Sequence, residues 1–199
     1  MSTWALVPVK ARHAGKQRLA PVLPDALRAR LVRAMLNDVL GSIAACEQIA
    51  GTLVMSPERD ELAAGTQLLR DPAEQMNDAL PLAIEALRQL GAKCVAIIAA
   101  DLPLLRPADI TALVTAARGG IALAPDASGT GTNAACLALP TTFRFHYGPG
   151  SLALHQAEAA RRGMTAVSVA LPGLGFDIDE VADLAQLRAR GLPRYDFLR

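Results

Sequence analysis

The sequence predicts an α/β protein, a three-layer sandwich with a mostly parallel sheet. Three observations lead there. Short apolar runs alternate with segments whose apolar residues recur at helical spacing. The run from Cys94 to Ala100 is apolar throughout, the pattern of a strand covered on both faces. Finally, residues able to bind phosphates or hard cations cluster just after the strand runs, where open α/β sheets bind their ligands.

The elements follow in order. A first strand is predicted over Trp4 to Val9, then a basic loop from Lys10 to Arg18. Leu27, Leu31, Met35, Leu36, Val39, Leu40 and Ile43 recur at helical spacing, with Asp25 placed to cap that helix. Thr52 to Met55 reads as the second strand. Ser56-Pro57-Glu58 opens a helix, with Pro57 at its first position and Gly65 as its stop. Thr66 to Leu69 is a short strand, and Asn77 to Leu90 a helix ended by Gly91. The buried strand Cys94 to Ala100 stops at Asp101-Leu102-Pro103, and Pro107 to Arg118 is helical until Gly119-Gly120. Ile121 to Ala124 and Asn133 to Leu139 are strands. Ser151 to Arg162 is a helix, Thr165 to Ala170 a strand, and Glu180 to Arg190 the last helix. No linker, repeat or low-complexity tract breaks the pattern, so residues 1–199 are expected to form one domain.

Composition removes several classes of function. Twenty basic residues against nineteen acidic leave a formal charge of +1, too little to wrap nucleic acid electrostatically. At 4%, aromatics are too sparse for stacking platforms along a single strand. The longest apolar run ends at Asp101, short of the ~20 residues a membrane helix needs, so no membrane partner is expected. Cys46, Cys94 and Cys136 are isolated and odd in number, which fits neither a disulfide framework nor a zinc knuckle. With no leader pattern at the N-terminus, the expected location is cytoplasmic.

The chemistry gathers in five segments. Lys10, Arg12, Lys16 and Arg18 lie directly after the first strand, in position to neutralise a nucleoside triphosphate. Neither a P-loop nor a G-x-G-x-x-G fingerprint is present. Asp101 ends the most buried strand. A carboxylate there suits Mg²⁺, although it also suits a turn before Pro103. Asp177 and Asp179 are one residue apart, so in an extended segment only one faces the site, and Asp179 also stands where the last helix needs a cap. Ser128-Gly129-Thr130-Gly131-Thr132-Asn133 offers hydroxyls and glycine N–H groups, either an anion cradle or a hairpin turn. Gly148-Pro149-Gly150-Ser151 enters a helix, either as a second anion site or as a plain serine cap. The two cradles together imply a second phosphorylated ligand. His13, His146 and His155 lack the spacing of a metal site or a nucleophile–base pair; His155 falls one turn into its helix, at the surface or in an acceptor pocket.

Taken together, Pro8-Val9-Lys10, Lys16-Gln17-Arg18-Leu19-Ala20, Asn77-Asp78-Ala79-Leu80, Ala100-Asp101-Leu102-Pro103-Leu104, Ala124-Pro125-Asp126, Gly129-Thr130-Gly131-Thr132-Asn133, Tyr147-Gly148-Pro149-Gly150-Ser151 and Asp177-Ile178-Asp179 resemble the 2-phospho-L-lactate guanylyltransferase family over nearly the whole chain. The resemblance implies a Rossmann-like fold of the nucleotide-diphospho-sugar transferase type. It implies transfer of GMP from GTP to a phosphorylated three-carbon acid, with pyrophosphate released, in coenzyme F-420 biosynthesis. The acid is 2-phospho-L-lactate, phosphoenolpyruvate or 3-phospho-D-glycerate in different members. By the same resemblance Asp101 and one of Asp177 and Asp179, with Asp179 preferred, hold Mg²⁺. Pro8, Val9, Lys10, Lys16, Arg18, Asn77 and Ala100 fall on the nucleotide side, with Lys16, Arg18 and Asp101 catalytic. Thr132, Asn133, Gly148 and Ser151 fall on the acceptor side. Glu180-Val181 replaces the Thr-Pro common after the second aspartate, and Tyr147 replaces a common Phe.

Two other functions share some of these features. A molybdenum-cofactor or sugar-1-phosphate nucleotidyltransferase would use Asp101 and the basic loop but has no need of the Gly-Thr-Gly-Thr-Asn and Gly-x-x-Ser pair. A non-catalytic GTP-binding module would bind the nucleotide and release no pyrophosphate. A homodimer is a further expectation, from the apolar surface of the first long helix.

Overall fold

The computed structural model describes residues 2–9, 16–56, 66–70 and 75–198. Among these residues seven strands form one sheet: β1 (Thr3–Pro8), β2 (Ile49–Ser56), β3 (Thr66–Arg70), β4 (Cys94–Ile98), β5 (Gly120–Pro125), β6 (Thr132–Ala138) and β7 (Thr165–Ser168). Their spatial order is β3-β2-β1-β4-β6-β5-β7. Every pairing is parallel except those of β6, which runs against β4 and β5. The sheet is therefore mixed, with its parallel part dominant, as expected from the strand and helix alternation.

Among the described residues six helices cover it: α1 (Asp25–Ala44), α2 (Met76–Gln89), α3 (Pro107–Ala116), α4 (Ser151–Arg161), the one-turn α5 (Pro172–Gly175) and α6 (Val181–Ala189). Alternation along the strands divides the core. Ala5, Val7, Val54, Ala96 and Ile98 pack with Leu36, Val39 and Ile43 of α1 and with Ile110 and Leu113 of α3. Leu6, Leu53, Met55, Val95 and Ile97 face the other way, onto Leu80, Ala83 and Leu87 of α2 and Ala159 of α4. Three layers result. The apolar side of α1 that prompted the dimer expectation is consumed inside this core, so it carries no argument for a partner.

Three helices are capped by residues other than those read from the sequence. Pro24, not Asp25, occupies the cap position of α1; Asp25 is its first helical residue and pairs with Arg28 at 2.9 Å. Glu180, not Asp179, caps α6. The Asp183 carboxylate accepts the backbone N–H groups of Asp179 and Glu180 at 3.1 and 2.8 Å, which leaves the Asp179 side chain to other work. Gly150, with φ of +70°, caps α4, and Ser151 is its first helical residue. The helix expected from Ser56-Pro57-Glu58 to Gly65 lies outside the described residues.

Between β1 and β4 the chain reverses its direction of travel across the sheet, since β2 and β3 lie on one side of β1 and β4 on the other. The crevice beyond the carboxyl ends of those two strands is the place such sheets bind ligands. Because β6 is antiparallel, its first residues, Thr132 and Asn133, reach the same edge. Past the end of β4, Ala99 donates to the Asn133 carbonyl at 2.8 Å, which leads the chain into Asp101 beside them.

Candidate functional site

Lys16 follows the undescribed part of the basic loop and precedes a 3-10 turn, Gln17–Leu19. Its backbone is left-handed, φ 55°, an uncommon conformation for a non-glycine residue. That turn aims its side chain inward, where only 8% remains exposed. The ammonium donates to Asp101 Oδ2 and to Asp179 Oδ1, the latter at 2.6 Å. Burial by itself would lower the lysine pKa. The two carboxylates more than offset it, and the pKa is pushed up to about 12. Lys16 is thus charged and bridges the end of β4 to the segment before α6. Leu19, Ile178 and Leu184 hold these stretches together from beneath, in a third apolar cluster.

Asp177 is set apart from the bridge. Its Oδ1 accepts from Asn133 Nδ2 at 3.0 Å. Burial raises its pKa, against that hydrogen bond, and the negative charges of Asp101 and Asp179 add to the rise. The three carboxylates are therefore electrostatic neighbours, but Lys16 touches Asp101 and Asp179. Among the described residues, no three His, Cys, Asp or Glu side chains gather tightly enough to hold a metal alone. Arg18 lies at the rim, its guanidinium 3.6 Å from Glu180 and largely exposed. Pro8 closes β1, buried Val9 donates to the Met55 carbonyl, and Ala100 is half-buried beside Asp101. Lys10 and Arg12 lie outside the described residues.

The second half of the site forms where the β5–β6 hairpin meets α4. The Gly-Thr loop is no open cradle. Asp126 accepts from Gly129 N–H through its carbonyl and from Thr130 N–H through its carboxylate, at 3.1 and 2.9 Å. Ser128 Oγ also bonds to that carboxylate at 2.9 Å. These N–H groups are engaged within the turn and cannot receive an anion. What faces α4 instead is a pair of hydroxyls. Thr132 donates its backbone N–H to Ser151 Oγ at 2.9 Å, and Thr132 Oγ1 lies 3.0 Å from His155 Nδ1. Gly148 adjoins them, with φ of +139°, a conformation that favours glycine.

Two residues have different neighbours from those expected. The Asn133 carboxamide donates to Leu174 and to Asp177, on the acidic side of the site, not toward Ser151. Successive residues of a strand point to opposite faces, so Thr132 and Asn133 of β6 serve separate halves of the site. Asn77, expected beside the nucleoside, accepts from Tyr147 N–H at 2.8 Å and donates to Tyr147 carbonyl at 3.0 Å. It clamps the chain leading to Gly148 against the first turn of α2. Sequence reasoning missed the Asp183 cap and gave His155 no definite role. The spacing of Asp183 three residues after Glu180 was the available signal for the first.

A model of the family described as "Guanylyl transferase CofC like" matches residues 3–199. The chain belongs to the CofC-like guanylyl transferase family. Among similar sequences, a phosphoenolpyruvate guanylyltransferase of Sphaerobacter thermophilus is 38% identical over 94% of this chain and 93% of its own length. One from Rubrobacter xylanophilus is 35% identical over 98% of each. Among solved structures, one from Desulfovibrio desulfuricans, assigned to the nucleotide-diphospho-sugar transferases, superposes with a TM-score of 0.77 at 18% identity, over 100% of this chain and 95% of the other. The CTP complex of CMP:2-keto-3-deoxy-manno-octonic acid synthetase reaches 0.61 at 15% identity, over 96% and 98%. These two likenesses concern fold alone. No helix among the described residues is long and apolar enough to cross a membrane.

Proposed function

We propose that this guanylyltransferase-family chain moves GMP from GTP to a phosphorylated three-carbon acid and releases pyrophosphate, a step of coenzyme F-420 biosynthesis. The names of its relatives favour phosphoenolpyruvate over 2-phospho-L-lactate and 3-phospho-D-glycerate. The observation that carries the reading is the meeting, at one sheet edge, of a Lys16-bridged carboxylate pair and a pair of hydroxyl donors, joined through adjacent Thr132 and Asn133.

The chemistry follows from charge. The nucleophile is a phosphate oxygen of the acceptor. A phosphate monoester is largely ionised at neutral pH, with a second pKa of about 6, so no protein base is required. The obstacle is repulsion between two polyanions. Lys16 and Arg18, with Lys10 of the same loop, neutralise the triphosphate. Thr132 and Ser151 hold the acceptor, so that its oxygen attacks the α-phosphorus in line as the pyrophosphate oxygen leaves. No covalent enzyme intermediate is formed.

Asp101 and Asp179 fit Mg²⁺ in the chemistry of their donors. Two carboxylates are what this ion usually takes from a protein when substrate phosphates and waters complete its shell. When bound there, it would neutralise charge on the triphosphate oxygens.

The test is pyrophosphate release by the purified protein with GTP and Mg²⁺, run separately with the three acids. Release with one of them, reduced at least about a hundredfold by Asp101→Asn, is expected. Silence with all three, from protein that still binds GTP, favours another acceptor class or a non-catalytic binder.

A further inference from the structure

His155 is buried to 0% exposure on α4. The rings of Phe143, Phe145 and Tyr147 stand around it at centroid distances of 6.0, 5.9 and 4.9 Å. Apolar packing alone does not account for an imidazole here, because both ring nitrogens meet polar partners. Nε2 lies 2.9 Å from the backbone nitrogen of His146. An amide N–H can only donate, so Nε2 presents its lone pair. Burial, with His146 nearby as a smaller cause, pulls the His155 pKa down to about 4, and the ring is neutral at pH 7. Its single proton therefore sits on Nδ1, 3.0 Å from Thr132 Oγ1, and is donated to that hydroxyl.

A hydroxyl that already accepts a hydrogen bond has its own proton left to give. Thr132 is in that state because of His155. Ser151 is in the same state because its Oγ accepts the Thr132 N–H. Two hydroxyl donors of fixed polarity, from β6 and from the first turn of α4, thus stand side by side next to Gly148. The same imidazole anchors the backbone at His146, two residues before Gly148. Asn77 anchors the residue between them.

We propose that His155 is a positioning residue of the acceptor subsite: it fixes the Thr132 hydroxyl as a donor to the acceptor's anionic group and pins the backbone that carries Gly148. The inference deepens the function proposed above and rests on it. His155 acts through Thr132, so its loss weakens acceptor binding and leaves the nucleotide half of the site untouched.

The substitutions His155→Gln and His155→Asn separate the two nitrogens. Gln can still accept from His146 but withdraws the donor from Thr132. Asn can place an N–H near the former Nδ1 and surrenders the acceptor. KM for the acid and for GTP are measured separately by pyrophosphate release. H155Q is expected to raise the acceptor KM about tenfold, the scale of one oriented hydrogen bond, with GTP KM unchanged. H155N should remain closer to the parent protein. In a Thr132→Val background, H155Q should add no further rise, because the coupled partner is gone. Loss of kcat and melting temperature in both variants with the acceptor KM unmoved, or an equal rise in both KM values, overturns the proposal. Nitrogen-15 NMR of the unaltered protein gives an arm that does not depend on a variant folding. A neutral ring protonated on Nδ1 at pH 7 is expected, and an Nε2–H tautomer or an imidazolium overturns the proposal. If the parent protein turns over none of the acids, the functional reading itself fails and takes this inference with it. Turnover by the parent with an unmoved acceptor KM in H155Q sinks the inference alone.

Discussion

At the scale of single residues, the site shows how a partner sets the protonation of a side chain. Lys16 and His155 are both buried, yet their pKa values move in opposite directions. Lys16 has two carboxylates within bonding distance, whereas His155 has neutral hydrogen-bond partners and aromatic walls. The histidine has a consequence for stability. Its folded pKa, about 4, is below the ordinary value of about 6.5, so the unfolded chain binds the extra proton first. Its contribution is complete above pH 6.5 and is lost as pH falls through 4. The unfolding free energy should therefore drop by up to about 1.4 kcal/mol per pH unit from this group across that window. Urea denaturation at several pH values, compared with His155→Asn, checks this: the variant should show the shallower slope. Equal slopes would mean that His155 titrates alike in both states. None of this was legible from the histidine spacing, because both partners of the ring are brought to it by folding, Thr132 from strand β6 and the His146 amide from the stretch before α4.

Elements were the most legible level. Apolar periodicity located α1 to α4, α6 and all seven strands to within a few residues, since burial of one helix face or both strand faces imposes the pattern directly. The misplaced caps have a common cause. Asp25 and Asp179 are good capping residues, but which residue caps depends on where the backbone turns, and the neighbours Pro24 and Glu180 occupy those turns. The edge of the sheet offers a test at this scale. Gly120 opens β5 opposite Thr165 of β7, and a Cβ built there would lie 2.0 Å from the Thr165 carbonyl oxygen. Gly120→Ala should push β7 outward and cost about 1–3 kcal/mol in chemical denaturation. The acceptor KM should be unaffected, because Thr132 and Ser151 hang on β6 and α4. A variant as stable as the parent would mean that this edge gives way freely.

For the molecule as a whole, the acidic half of the site depends on the chain's C-terminal end. The final 3-10 segment, Pro193–Leu198, brings Tyr195 and Leu198 into the cluster that underlies Leu19, Ile178 and Leu184. Arg194 pairs with Asp38 of α1 at 2.6 Å and donates to the Pro103 carbonyl at 2.9 Å, and the Tyr195 hydroxyl donates to Asp38 at 2.6 Å. One short segment thus ties α1 to the turn after Asp101 and supports the strands of chain that present Lys16 and Asp179. Tyr195→Ala should cost about 3 kcal/mol or more by emptying that space. It should also lower activity at temperatures where the protein stays folded, because the Lys16 bridge loses its support. A destabilised variant with parental kcat at low temperature would show that the cluster serves stability alone.

The sequence by itself determined the α/β class, the run of elements and the segments that meet at the carboxyl edge. Each of these follows from local chemistry: side-chain period, turn residues and the positions of charge along the chain. The family likeness was also carried by local words such as Gly-Thr-Gly-Thr-Asn and Gly-Pro-Gly-Ser. Only the tertiary structure decided that β6 runs backwards into the sheet, that the glycine loop closes on Asp126, that Asn133 turns to the acidic side and that Thr132 is polarised by His155. The physical reason is one of range. Burial patterns are written every two or four residues, whereas a hydrogen bond between residues 23 or 44 positions apart in the chain exists only once packing has brought its two ends within 3 Å or so of each other.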